Sequence, residues 1–242
     1  MFDFYINKLI LDFTFNDYKH LYNISLINKE FNEIIQSKIN KLYWMKINKI
    51  VGSKNGEIMK LMKYENKQHD GFQLINTPLL MKNLKFISPL LQTFTNLTWL
   101  YLDENIFSKK AILEFNKICK SLNKLEIITM RSCKLGAEGT VLLSKGLKQL
   151  PKLRGINLYN NNITDKGCKA LVTALINKEN FQELILWNNS ITTKSVPSLK
   201  TLILSLKSLK IVWLYNNELN KKDRKQLIQC WTQAEKYPGI YF

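Results

Sequence analysis

Arginine and histidine are nearly missing from this chain, which carries 3 Arg (Arg131, Arg154 and Arg224) and 2 His against 33 Lys. The formal net charge of +17 would suit a nucleic-acid surface, but the shortage of arginine argues against one. Phosphate and base-edge recognition leans on the flat, two-pronged guanidinium rather than on the lysine point charge. Lysine stands beside 26 Asn and 26 Ile, all three with A/T-rich codons, so a compositional bias accounts for much of its excess. The two histidines, His20 and His69, fall in no Cys-His, Ser-His or metal-ligand spacing, and no paired carboxylates form a motif. We therefore expect neither an enzyme nor a metal site, and no cofactor. Four cysteines (119, 133, 168, 230) show no close pairing and read as reduced structural thiols of a cytosolic setting. No apolar run approaches the ~18 residues a membrane-spanning helix needs. The opening Met1-Phe2-Asp3-Phe4-Tyr5 lacks the basic region of a signal peptide. The expected location is the cytoplasm, that of a eukaryotic host included.

What the chain does have is apolar mass and a period. Apolar residues make up 45% of its 242 residues, with 5 Trp, 10 Tyr and 12 Phe, enough for a sizeable core and too much for a disordered chain. The pattern Leu97-x-x-Leu100-x-Leu102-x-x-Asn105 returns four times. The copies are Leu125-x-x-Ile128-x-Met130-x-x-Cys133, Leu153-x-x-Ile156-x-Leu158-x-x-Asn161, Phe181-x-x-Leu184-x-Leu186-x-x-Asn189 and Leu209-x-x-Val212-x-Leu214-x-x-Asn217, each a step of 28 residues. All 15 apolar slots are filled; at this composition chance would do that with a probability on the order of 10⁻⁵. A weaker sixth copy, His69-x-x-Phe72-x-Leu74-x-x-Thr77, lies one period upstream.

The period-2 alternation around the middle apolar residue predicts a short strand with one buried face. The Asn after it sits where the chain turns away and can satisfy backbone groups of neighbouring turns. Cys133 takes that slot as a weaker donor. Downstream, Phe115, Leu143, Leu171, Leu199 and Leu227 stand 28 apart, and Cys119, Leu147, Leu175, Ile203 and Trp231 follow one turn later. They predict one helix per repeat with its apolar stripe toward the strands. Gly136, Gly139 and Gly167 are expected in the loops entering these helices, with Asp165 as a cap. Residues 69–219 thus resemble a leucine-rich-repeat protein of the longer, ribonuclease-inhibitor-like type. The resemblance implies an α/β solenoid, a horseshoe with parallel strands inside and helices outside, whose open ends need covers. Residues 220–242 read as the C-terminal cap.

In such a solenoid the strand residues pointing away from the core make one continuous surface. Three columns are predicted to lie on it: Trp99, Ile127, Gly155, Glu183, Ile211; then Tyr101, Thr129, Asn157, Ile185, Trp213; then Asp103, Arg131, Tyr159, Trp187, Tyr215. Glu126 and Arg154 border them. Exposed aromatics mark interaction sites, and Trp, Tyr and Arg dominate protein–protein hot spots. Trp99, Tyr101, Asp103, Glu126, Arg131, Arg154, Tyr159, Glu183, Trp187, Trp213 and Tyr215 are therefore the candidate partner-binding residues. The face is mixed in charge, which leaves the lysine excess to the helices and outer loops.

Residues 1–50 lack the 28-residue period and read as a small all-helical head, followed by a linker or helical cap at 51–68 around Gly52 and Gly56. Within the head, Leu21, Ile24, Ser25, Leu26, Ile27, Lys29 and Phe31, with Trp44 further on, resemble an F-box. The resemblance implies docking on the Skp1 adaptor of a cullin–RING ubiquitin ligase, with Leu21, Ile24, Leu26, Ile27, Lys29, Phe31 and Trp44 at the contact and the repeats holding the substrate. Without an adaptor, the same horseshoe would act alone, binding a partner enzyme and blocking it. Either way the expected partner is a folded protein, with no nucleic acid and no membrane involved, and the chain is a monomer outside its complex.

Overall fold

From Leu97 on, each 28-residue unit folds as one coil of strand, turn, helix and return, and the coils stack in register. The computed structural model describes residues 71–73, 84, 88, 92, 96–236 and 239–242, all within one compact unit of the chain. The F-box-like residues 21–44, the rest of the helical head and the linker at 51–68 lie outside the described residues.

Seven strands form one parallel sheet in chain order: β1 Gly71–Gln73, β2 Trp99–Tyr101, β3 Ile127–Thr129, β4 Gly155–Asn157, β5 Glu183–Ile185, β6 Ile211–Trp213 and β7 Gly239–Tyr241. Every pairing joins residues 28 apart, from Gly71↔Trp99 through Ile127↔Gly155 to Ile211↔Gly239. Between β2 and β7 the helices are α1 Lys109–Cys119, α2 Gly136–Leu147, α3 Asp165–Leu175, α4 Val196–Ser205 and α5 Lys221–Gln233, with a 3₁₀ turn at Thr193–Ser195 leading into α4. The fold is the leucine-rich-repeat type of α/β solenoid. Strand β7 lies in the stretch expected to act as a cover. Its surroundings, Tyr237-x-x-Ile240-x-Phe242, continue the repeat spacing, and the strand adds one more row to the sheet.

One core runs through the stack. The middle residue of each inner strand (Leu100, Ile128, Ile156, Leu184, Val212) is buried, as are both helix columns from Phe115 and Cys119 through Leu227 and Trp231. Helices α1 and α2 pack closely where Gly146 leaves room for Asn116; a Cβ there would run into the Asn116 side-chain oxygen. Gly139 and Gly167 are not in loops. They sit inside α2 and α3, where a Cβ would press on Ile112 or on Ile163 and Thr140. Asp165 does not cap its own helix either. Its carboxylate accepts from the Thr192 amide and hydroxyl and from the Ser195 hydroxyl, tying α3 to the next coil. On the helices Lys110, Lys117, Lys145, Lys166 and Lys169 are exposed. Lys178, in the turn after α3, differs. It is buried, and its ammonium donates to the Lys148 and Leu150 carbonyls just past α2, groups a helix end leaves without partners.

The asparagine slot holds the stack together. Asn161 accepts from the amides of Cys133 (3.0 Å) and Leu135 (3.4 Å) in the preceding coil and donates to the carbonyls of Met130 (2.6 Å) and Tyr159 (3.1 Å). Asn189 repeats this one coil on, taking the amides of Asn161 and Ile163 and donating to Leu158, Leu186 and Trp187. Asn217 follows, taking the Ile191 amide. Cys133, in the same slot, donates through Sγ to the Leu102 and Arg131 carbonyls. Burial pushes its thiol up to about 12, so it is inert as a nucleophile. All four cysteines are buried and unpaired. The residue before each slot (Glu104, Ser132, Asn160, Asn188, Asn216) has φ between 49° and 58°, the left-handed corner that lets the chain leave the strand. Asn tolerates this geometry better than most residues. Asn161→Ala strands two amides and the Met130 carbonyl away from water, while the Tyr159 carbonyl keeps the Ser132 amide; each stranded group costs ~1–3 kcal/mol less whatever relaxation recovers. A loss of about 3 kcal/mol in urea-unfolding stability is expected, with m unchanged.

Candidate aromatic binding face

Three-residue strands present their first and third side chains to the face opposite the helices, and the residue two further on extends each row past the strand end. On this sheet the rows place aromatics side by side. Tyr159 and Trp187 have ring centroids 5.1 Å apart, Trp187 and Trp213 6.4 Å, Trp187 and Tyr215 6.1 Å, and Trp213 and Tyr215 6.4 Å. Trp213 also meets Tyr241 edge-on at 5.9 Å. Most of these contacts are tilted or edge-to-face, the arrangements the ring quadrupoles favour. The five rings form one continuous cluster across β4 to β7. Their mutual packing leaves Trp187, Tyr215 and Tyr241 at 37%, 39% and 36% exposure, so the rings shield one another without closing the surface. The Trp213 indole N–H is shut off from solvent and has no hydrogen-bond partner.

Tyr241 belongs to the cluster although it lies in the stretch expected to form the C-terminal cap. The signal that would have found it is the step of 28 from Trp213. Trp99 and Tyr101 stand apart from the five, stacked on each other at 6.5 Å on β2 and half-buried.

Between the two aromatic groups the face is polar and internally paired. Asp103, expected as a partner contact, is 1% exposed. Its carboxylate accepts from the Thr129 hydroxyl at 2.7 Å, the Arg131 amide at 2.8 Å and Arg131 Nε at 2.9 Å. It is therefore a bracket inside the face, fixing Arg131 and burying Thr129, and not a contact surface. A buried carboxylate needs this much pairing to offset its desolvation. Arg154 spans two neighbouring coils, donating to Glu126 at 3.0 Å and to Gln182 at 3.3 Å, and this pair is half-exposed and accessible. Gln182 was not among the expected residues; its part depends on where the Arg154 side chain ends. Ile185, in an outward column, is buried.

Glu183 differs from both neighbouring acids. Its carboxylate takes no hydrogen bond or ion pair from any described residue. Gly155, in register with it on β4, has no side chain, and Glu183 and Ile127 lean over the gap: a Cβ on Gly155 would stand 2.8 Å from Ile127 Cδ1 and 3.7 Å from Glu183 Oε2. Desolvation there raises the Glu183 carboxyl above its ordinary range, and no charged group offsets it. Among the described residues no cluster of His, Cys, Asp or Glu is arranged to hold a metal ion, and no helix is long and apolar enough to cross a membrane.

No family model and no curated protein matches the chain in sequence. Solved structures that resemble it include the leiomodin-1 actin-binding site 2, at 11% identity, with 76% of this chain and 91% of that one covered and a TM-score of 0.45. A Bacteroides fragilis protein matches at 10% identity over 79% of this chain and 72% of its own, TM-score 0.36. An internalin of Listeria monocytogenes matches at 13% identity over 72% and 61%, TM-score 0.29.

A carboxyl whose acidity is weakened by folding binds more protons in the native state than in the unfolded chain, so the stability it confers falls as pH rises through that interval. Glu183→Gln is accordingly expected to raise the melting temperature at neutral pH. The gain should shrink as the pH is lowered below the ordinary carboxylate range. Differential scanning calorimetry at several pH values reads both signs.

Proposed function

We propose that this chain is a non-enzymatic protein-binding module that grips a folded partner on the aromatic face of its sheet. The observation that carries the proposal is the cluster of Tyr159, Trp187, Trp213, Tyr215 and Tyr241, in ring-to-ring contact and with three members more than a third exposed. A soluble fold does not leave a contiguous aromatic patch open without a use for it. Rigid Trp and Tyr rings give large contact area at little entropic cost, which is why they anchor interfaces. Seven strands at ~4.8 Å spacing spread the face over roughly 29 Å, the scale of a folded protein's flank. Arg154 and Arg131 supply polar contacts at the rim, Arg131 already held in place by Asp103.

The F-box-like stretch at Leu21, Ile24, Leu26, Ile27, Lys29, Phe31 and Trp44 extends the proposal. The head would dock on Skp1, and the aromatic face would hold the substrate of a cullin–RING ubiquitin ligase. A pull-down of the full chain with purified Skp1 tests that extension. Retention, lost on Leu26→Asp with Ile27→Asp, is the expected result. No retention of the intact chain would leave a module that binds and blocks its partner unaided.

The face itself is tested by Trp187→Ala combined with Trp213→Ala. Affinity for a captured partner should fall at least about a hundredfold, since each truncated hot-spot aromatic costs ~2 kcal/mol or more. Far-ultraviolet circular dichroism should remain that of the parent. Unchanged affinity would remove this face as the site.

A further inference from the structure

Three of the five rings stand in one row. Tyr159, Trp187 and Tyr215 each follow their strand by two residues, on the coils of β4, β5 and β6. Ring centroids are 5.1 Å apart from Tyr159 to Trp187 and 6.1 Å from Trp187 to Tyr215. Tyr159 and Tyr215 thus stand two coils apart, ~9.6 Å at the ~4.8 Å spacing of paired strands. Trp213 borders both Trp187 and Tyr215 at 6.4 Å, inclined to them by 54° and 89°. The rings therefore form notches with sloping walls and no flat platform. The hydroxyls of Tyr159 and Tyr215 bond to no described residue. These three positions carry no charge, and the row continues into Arg131, which Asp103 already matches. Glu183 lies four residues before Trp187, roughly 13 Å of extended chain away, with its carboxylate leaning over Gly155. What the row offers is apolar rings and uncharged hydrogen-bond donors, the complement of an uncharged ligand with free acceptors.

A ligand lying along this row must share its period. Side chains on one face of an extended strand recur every ~6.7 Å, which fits neither one coil nor two. An α-helix turns every ~5.4 Å, so two turns overshoot two coils by ~1.2 Å, and its carbonyls are bonded to its own amides. A polyproline II helix turns every three residues, ~9.3 Å, within ~0.3 Å of two coils. It makes no internal hydrogen bonds, so its carbonyls are free to accept from tyrosine hydroxyls. Its pyrrolidine rings are rigid apolar bodies suited to aromatic notches, and a segment held in that conformation by proline gives up little entropy on docking. We infer that the row of Tyr159, Trp187 and Tyr215, bordered by Trp213, binds a proline-rich segment of the partner in the polyproline II conformation. Residues three apart in that segment pack on Tyr159 and Tyr215, straddling Trp187. The inference rests on the proposed binding face and deepens it by naming the composition and conformation the bound protein must present there.

The test needs no identified partner. The full-length chain is titrated with N-acetyl-nonaproline amide, a probe about 28 Å long, and separately with a glycine–serine peptide of equal length. The Trp187 and Trp213 indole N–H resonances are followed by NMR. Nonaproline should move the Trp187 resonance saturably and bind at least about tenfold more tightly than the flexible peptide. Tyr159→Phe combined with Tyr215→Phe keeps both rings and removes both hydroxyls, and should weaken nonaproline binding at least about fivefold. No saturable shift with nonaproline, equal binding of the two peptides, or unchanged affinity in the phenylalanine variant overturns the inference. A captured partner should be displaced by saturating nonaproline. Loss of that partner in the Trp187→Ala, Trp213→Ala chain, with no displacement by nonaproline, would refute the proline-rich ligand and leave the binding face standing. Retention in that chain would refute both.

Discussion

Stacking coils of chain buries backbone at the point where each coil turns out of its strand, and the asparagine ladder is what makes that burial tolerable. The chain must leave the sheet through a left-handed corner at Glu104, Ser132, Asn160, Asn188 and Asn216. At that corner amides and carbonyls of two successive coils face each other with no strand pairing to use them. Asn161, Asn189 and Asn217 bridge the gap, with an oxygen for the amides of one coil and a nitrogen for carbonyls of both. A second ladder runs beside the first, from the Asn188 side chain to Asn160 and from Asn160 to Ser132. These bonds join residues at or near one repeat length. The ladder thereby fixes the register of the sheet, and with it the rows in which the aromatics stand.

The functional face inherits its order from that register. Because every strand pairs at an offset of 28, residues that are distant in sequence but equivalent in repeat become immediate neighbours. Tyr159, Trp187 and Tyr215 meet that way, and so do Trp213 and Tyr241. The polar contacts obey the same geometry, with Asp103 reaching Arg131 and Glu126 reaching Arg154 one coil on. What distinguishes the two halves of the face is composition. The early coils spend their charges on each other, and the later coils place rings where the early ones place ions. Glu183 stands between these regimes, a charge in the row where its neighbours are Gly155 and Ile211.

Much of this was legible in the sequence. The strands at Leu100, Ile128, Ile156, Leu184 and Val212 and the helix columns from Phe115 and Cys119 follow from a period repeated often enough to exclude accident. Cys133 is legible as a substitute for asparagine, because its slot was defined by the other copies. Outward columns were readable as positions, since alternation along a strand is a local rule. Four of their members, Asp103, Thr129, Gly155 and Ile185, are nonetheless buried. Asp103 and Thr129 are hidden by a bond between coils, and Ile185 is buried among the side chains around it. Gly139 and Gly167 looked like loop residues because glycine disfavours helices, yet close contact with the neighbouring coil favours it there. Tyr241 escapes the column rule because the last copy of the repeat stands where a cover is expected.

The sequence by itself determined the repeat length, the alternation of strand and helix, the core columns and the set of residues able to face outward. Each of these depends on chemistry at fixed spacing along one chain. Only the tertiary structure decided which outward residues remain available. That depends on where side chains of neighbouring coils end: Arg131 over Asp103, Arg154 between Glu126 and Gln182, five rings against one another, and no polar partner among the described residues for the Glu183 carboxylate. Such contacts are set by reach and direction across the sheet, which one-dimensional spacing does not specify.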